Sequence, residues 1–175
     1  MALEEHRAAA PAPAAVYVVT LSDTRQEATD EGGAAVRAAV HAAGHSISGW
    51  RIVREEAAGM RREFEELLAI PDYDVLIVTG GTGIAPRDLA FDTLDDLYDR
   101  PVPGFGELFR VLSYAEIGAA AMLSRASAGI ARGKLVFSIP GAPAAVRLAL
   151  HKLILPELGH MLGEVRRTPD TERPH

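Results

Sequence analysis

The stretch Thr79-Gly80-Gly81-Thr82-Gly83 directly follows the apolar run Val75-Leu76-Ile77-Val78. Glycines strip side chains from the place where a chain leaves a buried strand, so consecutive N–H groups can close around an anion. A tight strand-to-loop turn would use the same residues. No Lys-Ser or Lys-Thr follows Gly83 and the G-x-G-x-x-G spacing is absent, so neither common nucleotide fingerprint is present. Asp88 lies just beyond this loop, close enough for its carboxylate to hold a magnesium ion against bound phosphates. It also precedes an apolar helical pattern, where an aspartate serves as a helix cap. Glu55-Glu56 after the second strand-like run could supply a second carboxylate, or could be dipole partners in a helix's first turn. Ser22-Asp23 and Pro140-Gly141 each close another strand-like run. Glu107 falls on the helix face opposite an apolar stripe and reads as an exposed charge. His41 and His45 are four apart, but Gly44 ends a helix between them and no third ligand is near, so they read as surface histidines.

Composition narrows the chemistry. The chain has no cysteine, which excludes disulfides, thiolate metal sites and cysteine nucleophiles. A formal charge of −6 argues against a sequence-independent nucleic-acid binder, which would show a basic face. No run approaches the roughly 18 apolar residues of a membrane span. Glu4 and Glu5 precede the Ala- and Pro-rich start, and no apolar signal core follows, so the expectation is a cytoplasmic protein. With 48% of 175 residues apolar, one ordinary domain is expected, over residues 15–163, between a loose lead (1–14) and a polar tail (164–175).

These residues need a scaffold, and the hydrophobic pattern supplies one. Val16 to Leu21, Ser46 to Val53 and Asp74 to Thr79 read as strands, the first buried on both faces and the third the clearest of the three. Glu31 to Ala43 reads as a helix stopped by Gly44. Met60, Phe64, Leu67 and Leu68 fall at i, i+4, i+7 and i+8, one helical stripe. Leu94, Leu97 and Tyr98 suggest another helix; Phe105, Leu108, Phe109 and Leu112 suggest one more. Gly133 separates two strand-like pieces, 126–131 and 134–139, as a hairpin turn would. Val146 to Met161 forms the face of a long last helix, bent near Pro156. Strands alternating with helices predict an α/β fold, a mostly parallel sheet covered on both sides with one inserted β-hairpin. Such sheets bind ligands where strand ends open into loops, which points at Ser22-Asp23, Gly80 to Gly83 and Pro140-Gly141 together.

Several segments in this order resemble one family. They are Leu21-Ser22-Asp23-Thr24-Arg25, Thr79 through Asp88, Pro103-Gly104-Phe105-Gly106-Glu107-Leu108-Phe109-Arg110, Leu112 through Gly118, Leu123-Ser124-Arg125 and Ile139-Pro140-Gly141. The chain resembles the MoaB/MogA family of molybdenum cofactor biosynthesis, nearer the MoaB branch, over about residues 16 to 162. The resemblance implies a three-layer α/β/α domain that adenylylates molybdopterin with magnesium and ATP, in homo-oligomers built from trimers. It implies catalytic and metal-holding roles for Asp88 and Glu55. It implies substrate binding by Ser22, Asp23, Thr79, Gly80, Gly81, Thr82, Gly83, Glu107, Ser124, Arg125, Pro140 and Gly141, with Arg87 or Arg125 neutralising phosphate. Two departures stand out. Glu55 occupies the place of an aspartate in adenylylating members, and Ala90-Phe91-Asp92 replaces their Thr-Pro-Glu, losing a capping hydroxyl. A non-catalytic pterin-binding paralogue is the alternative; a CinA-like nucleotide pyrophosphatase fits the loop less well.

Overall fold

The computed structural model describes residues 13–56 and 59–167, so most of the expected lead and tail lies outside the described residues. The elements are β1 (Ala15–Leu21), α1 (Glu31–Ala42), β2 (Ser46–Val53), α2 (Met60–Ala69), β3 (Val75–Thr79), α3 (Ala90–Asp95), β4 (Arg100–Pro101), α4 (Pro103–Ile117), β5 (Ser127–Ala131), β6 (Lys134–Ile139), α5 (Pro143–Ala149) and α6 (Leu155–Arg166). They build one six-stranded sheet in the order β2-β1-β3-β6-β5-β4. The first four in that order are parallel, while β5 runs antiparallel to both β6 and β4. From β1 the chain passes through α1 to β2, then crosses back through α2 to β3 on the other side of β1. The strand order therefore reverses between β1 and β3, which opens a crevice at their carboxyl ends.

Period-two alternation divides the strand side chains between two cores. Val16, Val18, Val75, Ile77, Leu135, Phe137 and Ile139 pack against α1, α4, α5 and α6. Val19, Leu21, Leu76, Val78 and Val136 pack against α2 and α3. The four apolar residues of the α2 stripe are all buried, as their spacing predicts, each contributing about 1.5–3 kcal/mol. The hairpin turn places Arg132 at φ 49° and Gly133 at φ 75°, the two left-handed positions of a tight two-residue turn.

Three boundaries differ from the sequence pattern. Helix α3 stops at Asp95; Leu97 and Tyr98 lie beyond it, and the Tyr98 hydroxyl is 2.9 Å from Ser127 Oγ. The irregularity expected near Pro156 is a π-helical turn at Leu150–Ile154, just before it. Pro156 has no N–H to donate to Lys152 and its ring crowds that carbonyl, and a widened turn relieves both. Helix α6 runs on to Arg166, past the expected limit of the domain, and the Arg166 guanidinium lies 2.6 Å from Asp74 Oδ1. Burial raises the Asp74 carboxyl, but the Ala15 N–H and the Arg166 guanidinium outweigh it and hold it below its ordinary value. Among the described residues no helix is long and apolar enough to cross a membrane.

Candidate functional site

The ends of β3 and β6 are joined just past the sheet. Thr79 is fully buried and its Oγ1 donates to the Pro140 carbonyl at 3.2 Å, while the Gly80 N–H donates to Ile139 O at 2.9 Å. These bonds bring the glycine loop beside Pro140-Gly141. A cavity of about 410 Å³ opens between them, lined by Gly81, Thr82, Gly83, Asp88, Pro140 and Gly141. Phe109 and Ser113 of α4, together with Ser124 and a mostly apolar remainder that includes Ile117 and Leu123, form the rest of its wall.

Glu55 reaches this rim from the end of β2. Gly81 has φ 66°, and a Cβ on it would collide with Glu55 Oε1, so the carboxylate occupies the space a side chain would fill. That Oε1 is buried and has no hydrogen-bond partner. Burial pushes the Glu55 carboxyl up, the charge of Asp88 adds to this, Arg87 opposes it, and Asp23 pushes the same way. Asp23 is tied in directly: its Oδ1 accepts the Glu55 N–H at 3.1 Å, and its Oδ2 is 3.3 Å from the Arg87 guanidinium. Three carboxylates thus share one side of the crevice, one of them with an oxygen stripped of water.

Asp88 does not cap a helix. Leu89 occupies the cap position of α3 with no side-chain cap bond. Asp88 Oδ2 instead accepts the Ala85 N–H at 2.9 Å, and its own N–H donates to Ala85 O at 2.9 Å, closing the loop around 85–88. The carboxylate lies against Gly83, where a Cβ would meet Oδ2 at 2.5 Å.

Arg125 acts as a brace. Its Nε donates to Gly83 O at 2.8 Å, Nη2 to Asp88 O at 2.6 Å, and Nη1 to both Asp92 carboxylate oxygens at 2.8 Å. Its backbone N–H donates to Thr82 O at 2.9 Å. The guanidinium is thus committed to protein acceptors, leaving the exposed Arg87 as the cation nearest the carboxylates. The same bonds fix Asp88 and Asp92 at the start of α3, where Ala90-Phe91-Asp92 lacks a capping hydroxyl.

The other expected residues are divided. The Ser22 hydroxyl accepts the N–H groups of Thr24 (3.3 Å) and Arg25 (3.0 Å), shaping the turn after β1. The Arg25 Nη1 then reaches Gly141 O at 3.4 Å. Glu107 does not join the glycine loop: it lines a second cavity of about 320 Å³ with Arg110, Ser124 and Arg125. Ser124 lines both cavities, and its Oγ is buried without a partner.

Sequence reasoning missed Asp30 and the apolar wall. Asp30 is buried and accepts from Gly33 N–H and Thr20 Oγ1, each at 2.9 Å, fixing the start of α1 near Gly141. An aspartate directly before Glu31-Gly32-Gly33 was the available signal. Of the large apolar residues at the start of α4, Phe105 and Phe109 are buried in the chain's own core, while Leu108 is not. The uncovered face of α4 is Leu108, Val111, Tyr114 and Ile117. Of the two histidines, His45 is engaged by the fold, its Nδ1 accepting the Ala14 N–H at 3.1 Å, and His41 is exposed on α1.

Fold and rim together define an open, doubly wound α/β protein with a glycine loop and acidic side chains at its switch point, an arrangement suited to phosphorylated ligands. A family model described as "Probable molybdopterin binding domain" matches residues 17–160. The Molybdenum cofactor biosynthesis protein B of Halalkalibacterium halodurans is 43% identical over 166 residues, 94% of this chain and 98% of that protein. A crystal structure of Molybdenum cofactor biosynthesis protein B superposes with a TM-score of 0.86 at 44% identity, covering 91% of this chain and 99% of the other. The tungsten cofactor synthesizing protein MoaB from Pyrococcus furiosus follows the same course, with a TM-score of 0.76 at 33% identity over 90% of this chain and 100% of that one. The chain belongs to the MoaB/MogA family of molybdenum cofactor biosynthesis proteins.

Proposed function

We propose that this chain binds molybdopterin and adenylylates it with magnesium-ATP, releasing pyrophosphate. The observation that supports this best is the buried, unpartnered Oε1 of Glu55 at the glycine loop, electrostatically coupled to Asp88. A stripped carboxylate oxygen beside a second carboxylate is suited to a hard cation, and magnesium typically takes one or two protein carboxylates and completes its shell with phosphates and water. When bound, that ion would neutralise charge on the phosphates. Glu55 and Asp88 would hold it, and the N–H groups of Gly81 to Gly83 would cradle phosphate oxygens. The pterin's terminal phosphate oxygen attacks the α-phosphorus of ATP, the bond to the bridging oxygen breaks, and pyrophosphate leaves with that electron pair. Such a transfer demands alignment and charge neutralisation, and Arg125 supplies rigidity by holding the loop to Asp88.

The test is incubation of the purified chain with molybdopterin, magnesium and ATP, followed by chromatography for adenylylated pterin and pyrophosphate. Both products should form in equal amounts. Retained pterin binding without product would favour the second reading, a non-catalytic pterin binder, which the extra methylene of Glu55 supports. We further propose that copies of the chain assemble as trimers or hexamers through the uncovered face of α4, where Leu108, Val111, Tyr114 and Ile117 are each more than half exposed.

A further inference from the structure

We propose that Asp30 and Arg37 are positioning residues for the crevice. The pair sets the first turn of α1, that turn holds the Pro140-Gly141 side of the rim, and Trp50, stacked on Arg37, registers when the rim is filled. The proposal rests on magnesium-ATP binding at the glycine loop and adds what steadies the loop on the side that Arg125 does not reach.

The line of contacts begins in the sheet. Thr20 of β1 and Thr79 of β3 are partners in register, and their hydroxyls point the two strands at different supports. Thr79 donates to the Pro140 carbonyl, and Thr20 donates to Asp30 Oδ2 at 2.9 Å. Asp30 Oδ1 takes the Gly33 N–H at 2.9 Å, so one carboxylate clamps β1 to the first turn of α1. Two glycines let that turn approach so closely. A Cβ on Gly33 would collide with Asp30 and Thr20, and one on Gly32 would stand 2.9 Å from Gly141 O and 3.4 Å from Arg25 Nη1. Gly141 lies in turn against Gly80, where its Cβ would meet the Gly80 Cα at 3.5 Å. Backbone packed on backbone has no side chain to absorb a shift, so a displaced start of α1 carries Gly141 and the glycine loop with it.

The clamp needs its charge met. The Asp30 side chain is wholly out of water, and the cation paired with it is Arg37, whose Nη1 stands 3.7 Å from Oδ2. Removing the partner of a buried carboxylate leaves that charge uncompensated. Arg37 is itself loosely held. Its Nη1 is buried without a hydrogen bond, and its guanidinium lies over the Trp50 ring, 4.2 Å from the centroid. A charged pair at that separation, with a donor unused, has room to close or open as Asp30 moves. The stacked indole senses which. Trp50 is the chain's single tryptophan, so its emission records this contact alone.

The experiment follows tryptophan emission of the full chain, excited where adenine is transparent, as magnesium-ATP is added, with melting curves and the transfer assay run in parallel. Parent emission should change saturably, at the affinity that the melting shift gives. A misplacement of about 1 Å costs about 100-fold in rate, so the partial slackening caused by Arg37→Met should raise the KM for ATP about tenfold and abolish the emission response. Arg37→Lys, which keeps the charge but not the planar fork, should fall between the two. Asp30→Asn combined with Arg37→Met removes both charges and keeps the cap oxygen, so it should recover most of the lost affinity. Arg37→Met that only melts lower, with affinity and emission response intact, would overturn the proposal and leave the pair a helix cap. A double variant no better than Arg37→Met would overturn it too. Product formation with a flat Trp50 signal would remove only this proposal. A Trp50 response that depends on Arg37, without product, would remove only the transfer reading. A parent with neither a melting shift nor an emission change would remove both.

Discussion

Replacing Glu55 by Gln should make the protein more stable and less active at once. The side chain puts Oε1 out of water with no donor to meet it, beside the charges of Asp88 and Asp23. Glutamine keeps a polar atom there but removes the stripped charge and its repulsion by the other carboxylates, and an unmet buried group costs about 1–3 kcal/mol, more when charged. Glu55 as a whole is only half-buried, so solvent screening places the gain at the low end, about 1 kcal/mol. In a chain of this length that is a rise of about 2–4 °C in melting temperature. The sign with pH follows from the raised carboxyl. The native state holds its proton to higher pH than the unfolded chain, so the parent loses stability as pH climbs from the ordinary glutamate value, about 4.3, through the raised one. The variant's advantage should be full at neutral pH and vanish in acid below that interval. Magnesium-ATP should act oppositely: at ten times its Kd it adds about 1.4 kcal/mol to the parent, and Glu55→Gln should forfeit most of that. Melting curves across pH, with and without magnesium-ATP, read both effects. A variant that melts lower than the parent, or shows the same magnesium-ATP shift, would refute a cation role and make Glu55 a structural residue.

Other substitutions separate the remaining roles. On the transfer reading, Glu55→Asp should raise the adenylylation rate, because it restores the shorter side chain that the resemblance implies for adenylylating members; an unchanged rate would place the second carboxylate elsewhere. Asp88→Asn should abolish transfer in the product assay while melting within a few degrees of the parent, since the amide oxygen can still accept the Ala85 N–H. Arg125→Lys should lower the melting temperature by several degrees and slow transfer, because an ammonium cannot reach Gly83, Asp88 and Asp92 together; about 1–3 kcal/mol is at stake. Val111→Glu, on the uncovered face of α4, should turn an oligomer into monomers by mass photometry without loss of helix content.

The sheet and its topology were legible because burial is written in periods. Strands such as Val75 to Thr79 carry an unbroken apolar run that only a sheet covered on both sides can use, and Met60 to Leu68 repeats at helical spacing. The convergence of the loops after β1, β3 and β6 followed from that topology. The partners of individual side chains were not legible. Asp88 sits where a cap would sit, and only the position of Ala85 shows that it closes a loop instead. Arg125 resembled a phosphate ligand because its type is right; its acceptors, Gly83, Asp88 and Asp92, are long-range contacts with no periodic signature. Glu107 shares a motif with Phe105 and Phe109, yet the helix turns it into a different cavity. Asp30 carried the signal of a helix start, but its bond to Thr20 on β1 had no sequence signature.

The glycine loop also shows why a function-bearing rim needs support from afar. Gly80 and Gly81 both hold positive φ, and no residue from Gly80 to Gly83 brings an apolar side chain that could anchor it to either core. A loop of that composition would fray, and an anion cradle must be preorganised to be effective. Arg125 resolves the conflict from outside the loop. Its side chain ties Gly83 to the Asp88 carbonyl and the Asp92 carboxylate, and its N–H holds Thr82, so the glycine loop, the Asp88 backbone and the start of α3 share one residue. Arg125 and Ser124 also line the second cavity, so a ligand seated there presses on the same brace. Filling either cavity should therefore stiffen the other. On the proposed function, that coupling has a measurable sign: molybdopterin should tighten magnesium-ATP binding, and magnesium-ATP should tighten molybdopterin binding by the same factor. Arg125→Lys should bring the factor toward one while leaving each ligand measurable alone. Affinities that are independent in the parent would mean that the two cavities are neighbours without mechanical connection.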